Sequence, residues 1–259
     1  LPLEQTQALW QETVEQQIFV LCKTRMAESI TRRTLVGYQD WTVNTTYIPH
    51  LLERMENDPQ RLAKKLQRTD TWGKEGQPMK FDAIVGNPPY QEMDGGNNAS
   101  AVPLYQLFME QAILVEPHYI SMIMPARWYS GGRGLDKFRS EMLNDERLCK
   151  MMDFSDSNDC FPGVDIAGGV CYFLWDKSAH GECKVISVHN GKQSISERKL
   201  NEYDTFIRFK EAISIIKKIQ LRESRFYSER VSSQKPFGLR TYVKPTESGD
   251  IKLRYSGGI

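Results

Sequence analysis

The chain has 259 residues, a net charge of +1, 40% hydrophobic and 26% charged residues. That length holds one large α/β domain and a piece of another, with the balance of an ordinary soluble globular protein. No apolar run approaches the roughly 20 residues of a membrane span, the amino terminus has no signal pattern, and the five cysteines form no C-x-x-C pair, so a cytoplasmic protein with reduced thiols and no membrane partner is expected.

The chain begins LPLEQTQALW without an initiating Met, as a fragment or a processed chain would. Residues 12–35 read as a strand then a helix, or as one helix, with a short strand at 18–21 and Met26, Ile30 and Leu35 at near-helical spacing toward a core. Residues 37–76 read as irregular and surface-exposed. Within them 51–55 and 60–68 are helical by pattern, broken at Pro59. Arg61, Lys64, Lys65 and Arg68 make a basic face of the kind more often solvated than bound to DNA. Residues 70–78 form a loop into the next strand.

Residues 81–90, FDAIVGNPPY, order the rest of the chain. Ala83, Ile84 and Val85 form an apolar run without polar alternation, which reads as a strand buried on both faces of a parallel α/β sheet. Gly86 ends it, and Asn87-Pro88-Pro89-Tyr90 follows at once, at the strand end outside which ligands sit in open α/β sheets. Those four residues suit methyl transfer to a conjugated amino nitrogen. The lone pair of such a nitrogen is delocalised into its ring, and two acceptors, one per N–H, aim it at a methyl donor. Asn87 offers a side-chain carbonyl. Pro88 offers a backbone carbonyl whose direction is fixed by its own ring and by Pro89. Tyr90 offers a flat face for a flipped-out base. The same tetrapeptide also serves as a turn, or as a docking signal in a flexible tail; the buried-type strand leading into it favours the catalytic reading.

Residues 91–100 are polar and glycine-containing, either a loop that closes over a base or a plain connector. Residues 103–115 are a helix with Leu104, Leu107, Phe108, Ala112 and Val115 on one face. Residues 119–124 read as a buried strand with Pro125-Ala126-Arg127-Trp128 at its carboxyl end, beside Asn87 if the two strands are parallel. Arg127 there would bind a phosphate or sit in a surface ion pair. Residues 131–134, Gly-Gly-Arg-Gly, lack the G-K-[ST] of a phosphate loop. A helix over 135–144, burying Leu135, Phe138 and Leu143, precedes strands at 148–154, 170–175 and 185–188. The acidic stretch 153–159 lacks the glycine and closing Glu of a calcium loop, and Cys171, His180, Cys183 and His189 fit no standard finger, so no metal is expected. Residues 204–221 read as a helix, with Phe206, Phe209, Ile213, Ile216 and Ile219 on its apolar side and Lys217 and Lys218 toward solvent. Residues 198–240 hold 11 basic against 5 acidic residues, which fits either DNA held through its phosphates or a solvated helix. Residues 232–259, with Pro236, Gly238, Pro245 and Gly249, read as the start of a β-rich module.

FDAIVGNPPYQ resembles the catalytic motif of the N6-adenine DNA methyltransferases of restriction-modification systems. The similarity extends through LYQLFMEQAILV at 104–115, ISMIMPARWYSGGRG at 120–134 and FPGVDIAGGVCYFLWDK at 161–177. NPPY alone is shared with methyltransferases of protein glutamine and of RNA amino groups; the longer set favours DNA. The resemblance implies an α/β fold, a class I (Rossmann-like) S-adenosylmethionine-dependent methyltransferase sheet. Asn87, Pro88, Pro89 and Tyr90 would be catalytic, with Gly86 and Asn87 beside the cofactor, S-adenosylmethionine. Residues 161–164 would wall the base pocket, a core hairpin being the other reading. Residues 12–35 would be the second strand and its helix, although the acidic residue expected for the ribose hydroxyls is not evident and Glu28 lies too deep in the helix. Double-stranded DNA would be the partner, touched by Arg127, Lys217, Lys218 and Arg222, with a fused or associated restriction nuclease.

One departure stands out: Gly37, Gly73, Gly76 and Gly86 are the glycines before Asn87, and none makes a G-x-G loop after a strand to approach the cofactor. The sheet is therefore expected to be incomplete at its N-terminus, or else permuted. The expected division is a partial catalytic core over 1–200, then a helical linker and the start of a target-recognition region over 201–259. The full-length protein would be a site-specific adenine-N6 methyltransferase, with this chain alone inactive. A methyltransferase of protein glutamine or RNA is one rival, and a non-catalytic DNA-recognition or assembly fragment, favoured by the missing loop, is the other.

Overall fold

The computed structural model describes residues 2–92, 102–131 and 134–222. The chain divides into two compact units, Leu1–Lys210 and Glu211–Ile259. The first opens with helix α1, Leu3–Gln16. A helix leaves its last carbonyls without internal donors, and the buried amide of Asn44 answers them. Its Nδ2 donates to the carbonyls of Val14, Glu15 and Ile18 at 3.1, 3.0 and 2.9 Å. Strand β1, Phe19–Cys22, pairs in parallel with β2, Asn44–Tyr47. Helix α2, Arg25–Val36, joins them. The Thr24 hydroxyl starts it by accepting from the Ala27 amide, and Gly37 stops it at φ +60°.

Helices α3, Leu51–Asn57, and α4, Pro59–Leu66, break at Asp58, which caps the second while Pro59 opens it. Their buried faces join Ile48, Trp72 and Val115 in a core of their own. Residues 37–76 are therefore not the irregular surface stretch read from the sequence. The strand there, Asn-Thr-Thr-Tyr, is too polar to announce itself, and the core depends on contacts far along the chain. The reading of α2 needs a second correction: Met26 and Ile30 are 74% and 59% exposed, and the helix buries Val36 instead.

Among the described residues the main sheet has six strands. They are β3, Ala83–Gly86; β6, Tyr119–Pro125; β7, Leu148–Phe154; β8, Val170–Asp176; β9, Cys183–His189; and β10, Lys192–Arg198. A short pair, β4, Gln91–Glu92, and β5, Val102–Pro103, lies between β3 and β6 in the chain. The spatial order is β10-β9-β7-β8-β6-β3. β3 runs parallel to β6 and β7 parallel to β9, while β8 is inserted antiparallel between β6 and β7. Strand β10 returns from β9 through Asn190-Gly191, both at positive φ, as a two-residue hairpin requires. Helices α5, Tyr105–Leu114, and α6, Asp136–Asn144, contribute Met109, Phe138 and Met142 to the core that holds Trp128, Phe173 and Trp175.

Strand β3 is the end of that order, and among the described residues no strand pairs its outer side. Val85 is 76% exposed. The apolar run therefore does not mark a strand buried on both faces here; it marks an apolar strand with one open edge. The last described helix, α7, Lys210–Gln220, is shorter than the pattern over 204–221. Phe206 lies before it, buried, where its amide donates to the Tyr129 carbonyl at 2.9 Å and its ring sits 4.6 Å from that of Tyr129.

Candidate active site

The tetrapeptide Asn87-Pro88-Pro89-Tyr90 leaves the carboxyl end of β3, and Ala126-Arg127 leaves that of β6. The two strands are parallel, with Gly86 beside Met122, so both ends open on the same side of the sheet. Asn87 is exposed, Pro88 buried, and Pro89 and Tyr90 half-buried. The Leu104 amide donates to the Tyr90 carbonyl at 3.2 Å and joins this turn to the start of α5. The side-chain amide of Asn87 makes no hydrogen bond among the described residues. Arg127 is exposed and meets no carboxylate among the described residues.

Burial sets the character of the floor. The Tyr90 phenol is pushed up by burial, and the Cys160 and Cys171 thiols are its electrostatic neighbours. Burial likewise raises Tyr105, which the charge of Arg127 pulls back. Cys171 is fully buried and its thiol is pushed up to about 12, so it is an inert packing group rather than a nucleophile. Tyr90 thus lies within electrostatic reach of Cys160 and Cys171, and Tyr105 of Cys171 and Arg127.

The loop between β7 and β8 lies beside the carboxyl end of β6. Ser157, 2% exposed, organises it: its hydroxyl donates to the Val164 carbonyl at 2.6 Å and accepts from the Ile166 amide at 2.9 Å. Phe161 and Ile166 pack against Phe154, Val170 and Val188. Phe161 is therefore partly a core residue, as the hairpin reading has it, while Val164 remains 45% exposed. Gly168 and Gly169 close the loop at φ +89° and +78°. The Gly169 carbonyl accepts from the Ala126 amide at 3.0 Å, so the loop abuts Arg127 directly.

Pattern reading missed three residues that meet beside this loop: Tyr129, Asp153 and Arg208. Asp153 is fully buried with its carboxyl raised to about 6 by desolvation, even though the Nε of Arg208 lies 2.9 Å from its Oδ2. The glycine pair before an apolar run was a legible sign of a positive-φ turn; nothing local marked the other three.

Lys217, Lys218 and Arg222 are exposed in and just after α7, in the second unit. The mobile-lid or connector reading of 91–100, and the Gly-Gly-Arg-Gly reading of 131–134, fall mostly outside the described residues, as does the module over 232–259. Among the described residues no cluster of His, Cys, Asp and Glu has metal-binding spacing, and no helix is long and apolar enough to cross a membrane. A groove of about 630 Å³ is lined by Arg54, Arg61, Lys64, Lys65 and Arg68 with Asp58 and Asp70, and no residue of the tetrapeptide lines it.

For S-adenosylmethionine the fit is partial. Gly86 and Asn87 lie on the open edge of β3, where a ligand can approach the backbone. Of the earlier glycines, Gly37 ends α2 and Gly73 ends a 3-10 turn. Neither these nor Gly76 follows a strand, so among the described residues before Asn87 no glycine loop after a strand is present to approach an amino acid and ribose.

The mixed α/β sheet, with antiparallel β8 inserted between β6 and β7, is of the class I methyltransferase kind. Residues 16–161 match the Eco57I restriction-modification methylase family, and the chain belongs to that family. An uncharacterized adenine-specific methylase of Mycoplasma pneumoniae is 35% identical over 134 residues, which are 50% of this chain and 31% of the relative. The match thus spans about a third of that protein. Among solved structures, the Type ISP restriction-modification enzyme LlaGI, in a complex with a DNA substrate mimic, shares the fold at a TM-score of 0.50 and 11% identity, over 78% of this chain and 25% of that one. A modification subunit of a putative type I restriction enzyme from Vibrio vulnificus aligns at a TM-score of 0.46 and 15% identity, over 84% of this chain and 43% of that one.

Proposed function

We propose that this chain carries the base-binding part of a site-specific DNA adenine-N6 methyltransferase of a restriction-modification system. The observation that carries the reading is the placement of Asn87. Its amide is exposed and unengaged among the described residues, at a strand end it shares with Arg127, with the half-buried ring of Tyr90 beside it. A flipped adenine stacks on Tyr90. Its amino group donates one N–H to Asn87 Oδ1 and the other to the Pro88 carbonyl, which draws the lone pair out of the ring. Arg127 takes a backbone phosphate of the extruded nucleotide. No dedicated base is needed, because the proton becomes acidic once the nitrogen is alkylated. S-adenosylmethionine, the donor the family resemblance implies, supplies an electrophilic methyl group. Residues 201–259 lead into a target-recognition region whose excess positive charge, Lys217, Lys218 and Arg222 included, contacts double-stranded DNA. A nuclease fused to or associated with the protein completes the system.

Asn87→Ala in the full-length enzyme tests this. It should abolish transfer of labelled methyl to adenine while leaving DNA binding near normal, because it removes an acceptor used in the transition state rather than a docking contact. Near-normal incorporation by that variant sinks the assignment. The rival reading, a non-catalytic recognition or assembly fragment, is favoured by the absence of a glycine loop after a strand among the described residues before Asn87; it expects DNA binding with no methyl transfer by the wild-type protein.

A further inference from the structure

Arg208 lies 40 residues from the loop it touches. The backbone of residues 206–208 is held at three points. The Ser187 hydroxyl donates to the Arg208 carbonyl at 3.4 Å, Arg198 Nη2 donates to the Ile207 carbonyl at 2.6 Å, and the Phe206 amide donates to Tyr129. From that fixed base the guanidinium reaches two groups at once. Nε stands 2.9 Å from the buried Asp153 carboxylate at the end of β7, and Nη2 donates to the Gly168 carbonyl at 2.7 Å. The Tyr129 ring lies against it, 5.2 Å from centroid to guanidinium carbon.

The Gly168 end matters because of what hangs on it. Ser157 ties residues 157–166 into one piece. At its carboxyl end it has two ties, the Ala126–Gly169 backbone bond and the Arg208–Gly168 bond. An ideal Cβ on Gly168 would lie 3.9 Å from the backbone of Arg127, so a small rotation here moves the loop relative to the proposed phosphate contact. The fork geometry of arginine spans two acceptors rigidly, which a lysine does not. A buried Asp153 whose oxygens make no well-formed hydrogen bond among the described residues would be a costly residue to keep for packing alone.

We propose that Arg208, fixed by Asp153, is a positioning residue that holds the 161–169 wall at the spacing from Tyr90 and Arg127 at which a flipped base fits. This rests on the function proposed above. Asp153 also faces Arg198, Tyr129 and Cys171, so its ionised form is maintained by Arg208 and Arg198 against burial.

The test is Arg208→Lys, which keeps a cation opposite Asp153 but gives up the second tie. Its melting curve should stay near that of the wild type, while amide hydrogen exchange across 161–169 rises several-fold. In the full-length enzyme kcat on DNA should fall on the order of tenfold to a hundredfold, with the KM for S-adenosylmethionine unchanged. Should the lysine variant fail to fold, Asp153→Asn with Arg208→Met removes both the charge pair and the tie without stranding a charge, and the same exchange and kinetic changes are expected. Unchanged exchange at 161–169 overturns the clasp. Faster exchange with wild-type kinetics on DNA overturns its role in the reaction. If the wild-type enzyme transfers no methyl to DNA, the proposed function falls, and exchange still decides whether Arg208 holds the loop.

Discussion

Gly169 gives the sharpest test of how the loop between β7 and β8 is built. Its φ is +78°, and an ideal Cβ there would lie 2.0 Å from the Phe154 carbonyl oxygen and 2.9 Å from that of Ser155. Gly168, next to it, has φ +89° but meets nothing closer than 3.9 Å. Alanine at 168 therefore bears only the left-handed backbone penalty, about 1–2 kcal/mol. Alanine at 169 bears the same penalty and also forces backbone against backbone, where no side chain can swing away; overpacking of that kind adds about 1–3 kcal/mol. Of a typical stability of about 5–15 kcal/mol, Gly169→Ala removes a large part and Gly168→Ala a small one. Urea unfolding followed by circular dichroism separates the two, with the midpoint of Gly169→Ala well below that of Gly168→Ala at similar slope. Equal midpoints would refute the close approach of Gly169 to β7.

Asp153 carries a pH signature. Its carboxyl is raised from 3.8 to about 6, mainly by desolvation, so its contribution favours the fold when protonated. That contribution is complete below the ordinary value of 3.8 and is lost as pH rises through about 6. It amounts at most to about 3 kcal/mol for a shift of that size. Unfolding of wild type and Asp153→Asn at pH 4.5 and 7 should show this fall in the wild type only; parallel profiles would refute it. Neutralising Lys217, Lys218 and Arg222 together should flatten the salt dependence of DNA affinity across all sequences alike, and an unchanged slope would leave α7 a solvated helix. Isothermal titration of this chain with S-adenosylmethionine should show weak binding or none, because among the described residues before Asn87 no glycine loop after a strand is present to approach the amino acid and ribose. Micromolar binding would mean that a glycine-rich segment such as 163–169 serves the cofactor in a permuted arrangement.

What could be read from the sequence was what each segment decides with its near neighbours. Strands β6, β7 and β8 are apolar runs with turn residues on either side, and they appear within a residue or two of where the pattern puts them. Pro59 marks the break between two helices because its ring cannot continue α3 but suits the first position of α4. The neighbourhood of Asn87 and Arg127 was legible too, since it needs only two strand ends and a parallel pairing. The hairpin at Asn190-Gly191 was equally legible and was overlooked, with β10 lost as a result. Other features answer to distant partners. The strand Asn44–Tyr47 exists because β1 pairs with it and because the Asn44 amide meets the end of α1. The exposure of Val85 depends on what lies across from β3, which a run of apolar residues cannot state. Arg208 is the extreme case. Set between Ile207 and Phe209, it reads as one more cation on the approach to a basic helix, yet it touches a carboxylate 55 residues earlier and a carbonyl 40 residues earlier. A basic residue in a basic stretch is ordinarily assigned to solvent or phosphate. Here a carboxylate with no exposure claims it first, so the positive charge counted over 198–240 overstates what is free to meet DNA by at least this residue.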